Sequence, residues 1–230
     1  MRRGVRLAWI ACALLVAARA PAAPASGPAA PTGSAAPTLE ALMAGMAGAR
    51  GVVAEFHEVK QLALLAAPLE SRGVLDFVPP DRMVRRTLEP VPSLLIVDGR
   101  RVVFRDAAGA APIDLSGDPS ARQFVDNVTT IFRGDLGALR ERYDVRFEAE
   151  PPKWRLELEP RDPVVRRFVA SLTLSGEGDA MREMVLLERD GDRTTTRVDK
   201  VDANHAHTPE ELRALFGESG APGGGGAAAP

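Results

Sequence analysis

The sequence predicts a mainly β fold with a few helices: a strongly curved antiparallel sheet around an apolar interior. Three observations carry this. Short runs rich in Val, Leu, Ile, Phe and Thr follow one another between Gly, Pro and Asp turn signals. Several runs alternate, so that Trp154, Leu156 and Leu158 point one way while Arg155, Glu157 and Glu159 point the other, leaving one face apolar and one wet. Helical spacing is confined to a few short segments, too few to cover a long sheet, which must therefore curl around its own apolar face.

Taken in order, Thr38 is placed to cap a first helix, with Leu39, Leu42, Met43 and Met46 on one face and Gly45 and Gly48 weakening it. Strands follow at 52–60, 71–77, 82–88, 93–97 and 101–105, and Asp98-Gly99 marks a hairpin between two of them. Residues 121–143 break the rhythm. Phe124, Val128, Ile131 and Phe132 fall at helical offsets, Gly134 is a stop, and Leu136 and Leu139 restart the pattern. Strands resume at 145–149, 153–159, 168–174, 181–188 and 194–201, with turns at 175–179 and 190–192. Pro209-Glu210-Glu211-Leu212 reads as a terminal turn.

The N-terminus has the anatomy of a cleavable signal peptide over residues 1–25. Arg2, Arg3 and Arg6 precede an apolar run at 7–18, shorter than the roughly 20 residues that span a bilayer, and Ala23-Pro24-Ala25 offers a small-residue cleavage site. Residues 26–37 read as a disordered linker and 217–230 as a disordered Gly/Ala/Pro tail, leaving one domain at 38–216. The expected location is the periplasm. Cys12, inside the apolar run, is the only cysteine, so the exported domain holds by core burial alone. Formal charge is −2, and loss of Arg2, Arg3, Arg6 and Arg19 makes it more negative, which excludes a nucleic-acid partner.

Catalytic chemistry is not legible. There is no Gly-x-Ser-x-Gly elbow, and Ser71, Ser93, Ser116 and Ser171 lack a recognisable triad partner, so no catalytic residue and no enzyme activity is expected. His205 and His207 have a metal-like spacing but sit in what reads as a surface loop, and His57 reads as an ordinary strand residue. No metal and no cofactor is expected.

Several local sequences, in their order, resemble the periplasmic outer-membrane lipoprotein carrier superfamily (LolA). These are Phe56-His57-Glu58-Val59-Lys60, then Gly73-Val74-Leu75-Asp76-Phe77 with Pro80-Asp81-Arg82, then Pro90 followed by Leu94-Leu95-Ile96-Val97-Asp98-Gly99 and Val102-Val103-Phe104, and later Trp154-Arg155-Leu156-Glu157-Leu158-Glu159-Pro160. The resemblance implies an open half-barrel with a short helical lid, a carrier that shields lipoprotein acyl chains between the inner and outer membranes. It implies as partners an acylated lipoprotein or other lipid cargo, an inner-membrane releasing transporter and an outer-membrane receptor, with the carrier a monomer.

On that reading the acyl-chain lining is Phe56, Leu75, Phe77, Met83, Leu95, Val97 and Phe104, and the lid face is Met43, Met46, Phe124, Val128 and Ile131. The same residues in the same spacing also suit an ordinary filled core. The chain departs from the family where Pro79 replaces an arginine that the resemblance implies helps hold the lid. Arg82, Arg85 and Arg86 stand nearby, with sheet arginines expected on the solvated face. The departure favours a dedicated carrier of a non-protein amphiphile, a glycolipid or polyene-type lipid, and the similar curved sheets of envelope-stress sensors keep open a regulator that senses lipid.

Overall fold

The computed structural model describes residues 37–99, 101–106, 113, 114, 117, 125, 129–178 and 180–217. Helix α1 (Leu39–Ala47) leads into β1 (Val52–Gln61), β2 (Leu69–Val78), β3 (Arg82–Glu89), β4 (Ser93–Asp98), β5 (Arg101–Asp106) and the short β6 (Ile113–Asp114). After helix α2 (Leu136–Arg142) come β7 (Tyr143–Glu150), β8 (Lys153–Pro160), β9 (Val169–Glu177), β10 (Ala180–Glu188) and β11 (Arg193–Asp202), and helix α3 (Pro209–Phe216) follows.

All eleven strands form one sheet in the order β6-β5-β4-β3-β2-β1-β11-β10-β9-β8-β7. Every adjacent pair is antiparallel, and the two meanders join where β1 pairs with β11. β6 and β7 are edges, so the sheet is open. A single apolar cluster nevertheless takes residues from both flanks, from Val102 on β5 to Leu156 and Leu158 on β8, which requires the sheet to curl around it. The predicted half-barrel is the observed architecture.

Local chemistry explains most boundaries. Thr38 accepts from the amide of Ala41 at 3.1 Å and starts α1, whose Leu39, Leu42, Met43 and Met46 are all buried. Gly99 takes φ +57° in the Asp98-Gly99 hairpin. Strand β9 runs on to Glu177, through residues expected as a turn. Gly176 pairs with Trp154, and a Cβ there would lie 2.5 Å from the indole, so glycine serves to seat the ring rather than to bend the chain. Gly73 does the same for Phe56, with a would-be Cβ 2.9 Å from the ring.

The chain's end corrects the expected terminal turn. Thr208 and Glu211 form a reciprocal capping box, and with Pro209 they launch a helix. Leu215 and Phe216 then bury against Val84 and Ile96 on the outer face of β3 and β4, and Arg82 lays its guanidinium 3.9 Å over the Phe216 ring. This covering explains why Leu94, Leu95, Ile96 and Val97 are all apolar: β4 is packed on both faces.

Candidate functional site

Register defines the inner face. Val52, Phe77, Met83, Val97 and Val102 stand opposite one another across five strands, and Ala54, Leu75, Arg85, Leu95, Phe104 and Ile113 form the next row. All seven expected lining residues therefore share one face. Six are buried and Phe104 packs against the same cluster.

The expected lid residues Met43, Met46 and Ile131 belong to that cluster too. Phe124 and Val128 lie outside the described residues. The helical turn at 129–132 reaches the sheet through Phe132, whose ring lies 5.7 Å from that of Phe77 at 48°. Gly134, at φ +64°, ends this turn against α1, and a Cβ there would stand 2.1 Å from the Met43 carbonyl oxygen. Arg140 of α2 donates to Glu40 of α1 at 3.0 Å.

Arg133 supplies a contact that sequence reading did not assign. From the end of the 129–132 turn its Nε donates to the Pro80 carbonyl at 3.1 Å, and its Nη2 lies 3.4 Å from Asp81. An arginine on the helical side thus grips the β2–β3 turn beside Pro79.

The inner face is not uniformly apolar, and here an expectation fails. Arg85 is not on the solvated face; it points inward and is 12% exposed, beside Glu58 at 9%. Its Nη2 donates to Glu58 at 2.9 Å, and its guanidinium lies 4.2 Å over the Phe56 ring. Ser71 and Thr196 donate to the same carboxylate at 3.4 and 3.3 Å. The parity of β3 carried the signal: with Met83 inward, Arg85 must share its face. Arg86 and Arg82 take the opposite parity and lie on the outer face.

The polar row continues to the strand ends. Lys60 pairs with Glu188 at 3.5 Å, and burial pushes the Glu188 carboxyl above the usual carboxylate range. The Thr194 hydroxyl, also buried, has no hydrogen-bond partner.

The two histidines at 205 and 207 also depart from expectation. The segment is a loop, yet the His207 side chain is 3% exposed and lies 3.6 Å from Asp76, whose carboxyl burial pushes upward. His205 meets the His207 ring edge-on at 4.6 Å and contacts Glu211, so the pair ties the sheet's outer face to α3. Glu211, accepting from the Thr208 amide, is held below the usual carboxylate range. His57 sits on the outer face 3.4 Å from Glu70.

The sequence model of the family described as outer membrane lipoprotein carrier protein LolA-like matches residues 31–218. No curated protein matches the chain. Among solved structures, a LolA superfamily protein from Nitrosomonas europaea aligns at 10% identity and TM-score 0.43, covering 76% of this chain and 96% of that one. A DUF1329 family protein from Desulfovibrio piger aligns at 11% identity and TM-score 0.47, covering 79% and 95%. MucB, in its complex with MucA from Pseudomonas aeruginosa, aligns at 16% identity and TM-score 0.45, covering 76% of this chain and 60% of that one.

Proposed function

This chain belongs to the LolA-like outer membrane lipoprotein carrier family, and from that premise we propose that it is a periplasmic carrier that holds acyl chains against the inner face of its sheet. The observation that carries the reading is the convergence of one sheet face, α1 and the 129–132 turn on a single apolar cluster. Each methylene withdrawn from water is worth about 0.8 kcal/mol, so a carrier of this kind works by exchange. Cargo takes over the apolar packing that α1 and the 129–132 turn contribute to this cluster, the Phe132–Phe77 contact included, and the domain closes again on release. The lining and lid residues above, a domain at 38–216, and delivery from an inner-membrane transporter to an outer-membrane receptor are parts of this proposal. No catalytic step enters it.

The inner polar patch favours a second reading. A face that sets Arg85, Glu58, Ser71 and Thr196 beside Phe56 suits an amphiphile with a hydrogen-bonding group close to its chain better than bare hydrocarbon. A dedicated glycolipid or polyene-type carrier fits this, together with Pro79.

The deciding experiment is native mass spectrometry of the protein purified from its own envelope, followed by organic extraction. Co-purifying acylated protein supports the first reading and a non-protein amphiphile the second. A bare protein that also ignores fluorescent acyl probes refutes both.

Arg133 gives a sharper expectation. Arg133→Ala should cost at most about 1 kcal/mol of stability, because the ion pair is exposed, yet release an acyl probe several-fold faster as the 129–132 turn loses its grip on Pro80. Unchanged release in stopped-flow displacement would show that the contact does not hold the site closed.

A further inference from the structure

The meander places four connections of the described chain at one end of the strands, an edge distinct from β6 and β7: β1–β2, β3–β4, β8–β9 and β10–β11. Every exposed large apolar side chain among the described residues lies at that edge. Leu64, Leu65 and Leu69 belong to the β1–β2 connection and the start of β2, Leu88 to the end of β3 and Val91 to the β3–β4 connection. Val164 and Phe168 lie between β8 and β9, and Leu187 at the end of β10. The opposite edge, with the Pro79-Pro80 and Asp98-Gly99 turns, has none among the described residues.

Single exposed leucines are ordinary, but a concentration of this kind marks a binding surface. The β1–β2 connection makes the point most sharply. Residues 62–68 read Leu-Ala-Leu-Leu-Ala-Ala-Pro, without one polar side chain, and Leu64 is 79% exposed. Connections facing water carry polar turn residues instead.

The edge is also tied into a continuous surface. Asp192 in the β10–β11 turn accepts from the Ala63 amide at 2.8 Å. Arg189 donates its amide to the Phe168 carbonyl at 2.8 Å and its Nε to the Arg166 carbonyl at 3.2 Å. Arg72 and Glu89 join β2 to β3 beside Leu88.

Charge selects the partner. Arg166, Arg167, Arg189 and Arg193 are exposed around Val164, Phe168 and Leu187, and none forms an ion pair among the described residues. Glu70 lies beside His57, Glu89 pairs with Arg72 and Glu188 with Lys60, while Asp162, Asp190 and Asp192 accept from backbone amides and keep their charge, so the positive excess is confined to Arg166, Arg167 and Arg189 around Phe168. Apolar tips ringed by unpaired arginines match the interface of an anionic bilayer, where the tips enter the acyl boundary and the guanidiniums meet phosphates.

We propose that this edge docks the protein on an anionic phospholipid bilayer through Leu64, Leu65, Val164 and Phe168, with Arg166, Arg167 and Arg189 on the headgroups. The surface does not depend on what the interior holds.

The test is flotation of the purified exported protein, its N-terminus verified by mass, with phosphatidylcholine vesicles with and without phosphatidylglycerol. The protein should float with the anionic vesicles and be released by salt. Arg166→Glu with Arg167→Glu should weaken binding at least about tenfold, and Leu64→Ser, Leu65→Ser and Phe168→Ser together should abolish it. Arg182→Glu, on β10 near the other edge, should bind like the parent. These side chains are exposed, and matched thermal melts verify that each variant is folded.

Absence of binding to either vesicle, or binding indifferent to the edge variants, overturns the proposal. So does binding confined to native membranes and lost when their proteins are digested, which would assign the edge to a protein receptor. No cargo is present in this assay, so failure here leaves the acyl-probe result standing, and the reverse also holds.

Discussion

Replacing Arg85 by alanine should destabilise the protein by about 3–5 kcal/mol, because it strands the Glu58 carboxylate on the buried face with only Ser71 and Thr196 as donors. Part of the loss is packing, since the guanidinium also covers the Phe56 ring at 4.2 Å. Arg85→Lys should fall between, keeping the charge but losing the planar fork and the stacking. Exchanging both partners together, Arg85→Met with Glu58→Met, should recover most of the loss, because the desolvated charges leave as a pair. Urea titrations check this as shifts in midpoint at constant slope. If the double variant is as unstable as Arg85→Ala, the buried pair is not the cause. The same double variant, folded but without the Arg85–Glu58 pair, also separates the two cargo readings: it should keep simple fatty-acyl probes and lose amphiphiles that use the polar patch.

Gly134→Ala should cost roughly 3 kcal/mol, from a left-handed backbone that alanine adopts reluctantly and from overpacking against α1. The would-be Cβ lies 2.1 Å from the Met43 carbonyl oxygen and 2.6 Å from the Ala47 amide nitrogen, both backbone atoms that cannot turn aside. Gly99→Ala is the matched control. Its φ is +57° and nothing lies within 4 Å of its would-be Cβ, so it should cost only about 1 kcal/mol, the conformational part. The difference between the two measures the contact between the 129–132 turn and α1. On the carrier reading Gly134→Ala should also take up acyl probes faster, because the two elements that roof the inner face no longer close on each other. Equal costs at both glycines would mean that this contact is not tight.

Much of this architecture is local and so was legible from residues in order. Alternation along Trp154, Leu156 and Leu158 needs only the two-residue pleat, the Asp98-Gly99 hairpin needs only a positive φ, and the start of α1 needs only the Thr38 hydroxyl three residues before the Ala41 amide. The apolar set on the inner face followed from the same parity. What parity cannot say is how each face is covered, and there the tertiary structure decided. α3 folds back onto β3 and β4 because Leu215 and Phe216 need an apolar surface and Val84 and Ile96 offer one, a match between segments far apart in the chain.

Arg85 shows the limit most clearly. Its place on the strand already set its face, but only the return of β1 beside β2 and β11 brings Glu58, Ser71 and Thr196 close enough to offset the loss of water around a guanidinium. Sequence determined which side chains share a face, because that depends on backbone geometry between neighbours. The three-dimensional arrangement alone determined which charges are buried with partners, and that four distant connections meet in one apolar, arginine-ringed edge.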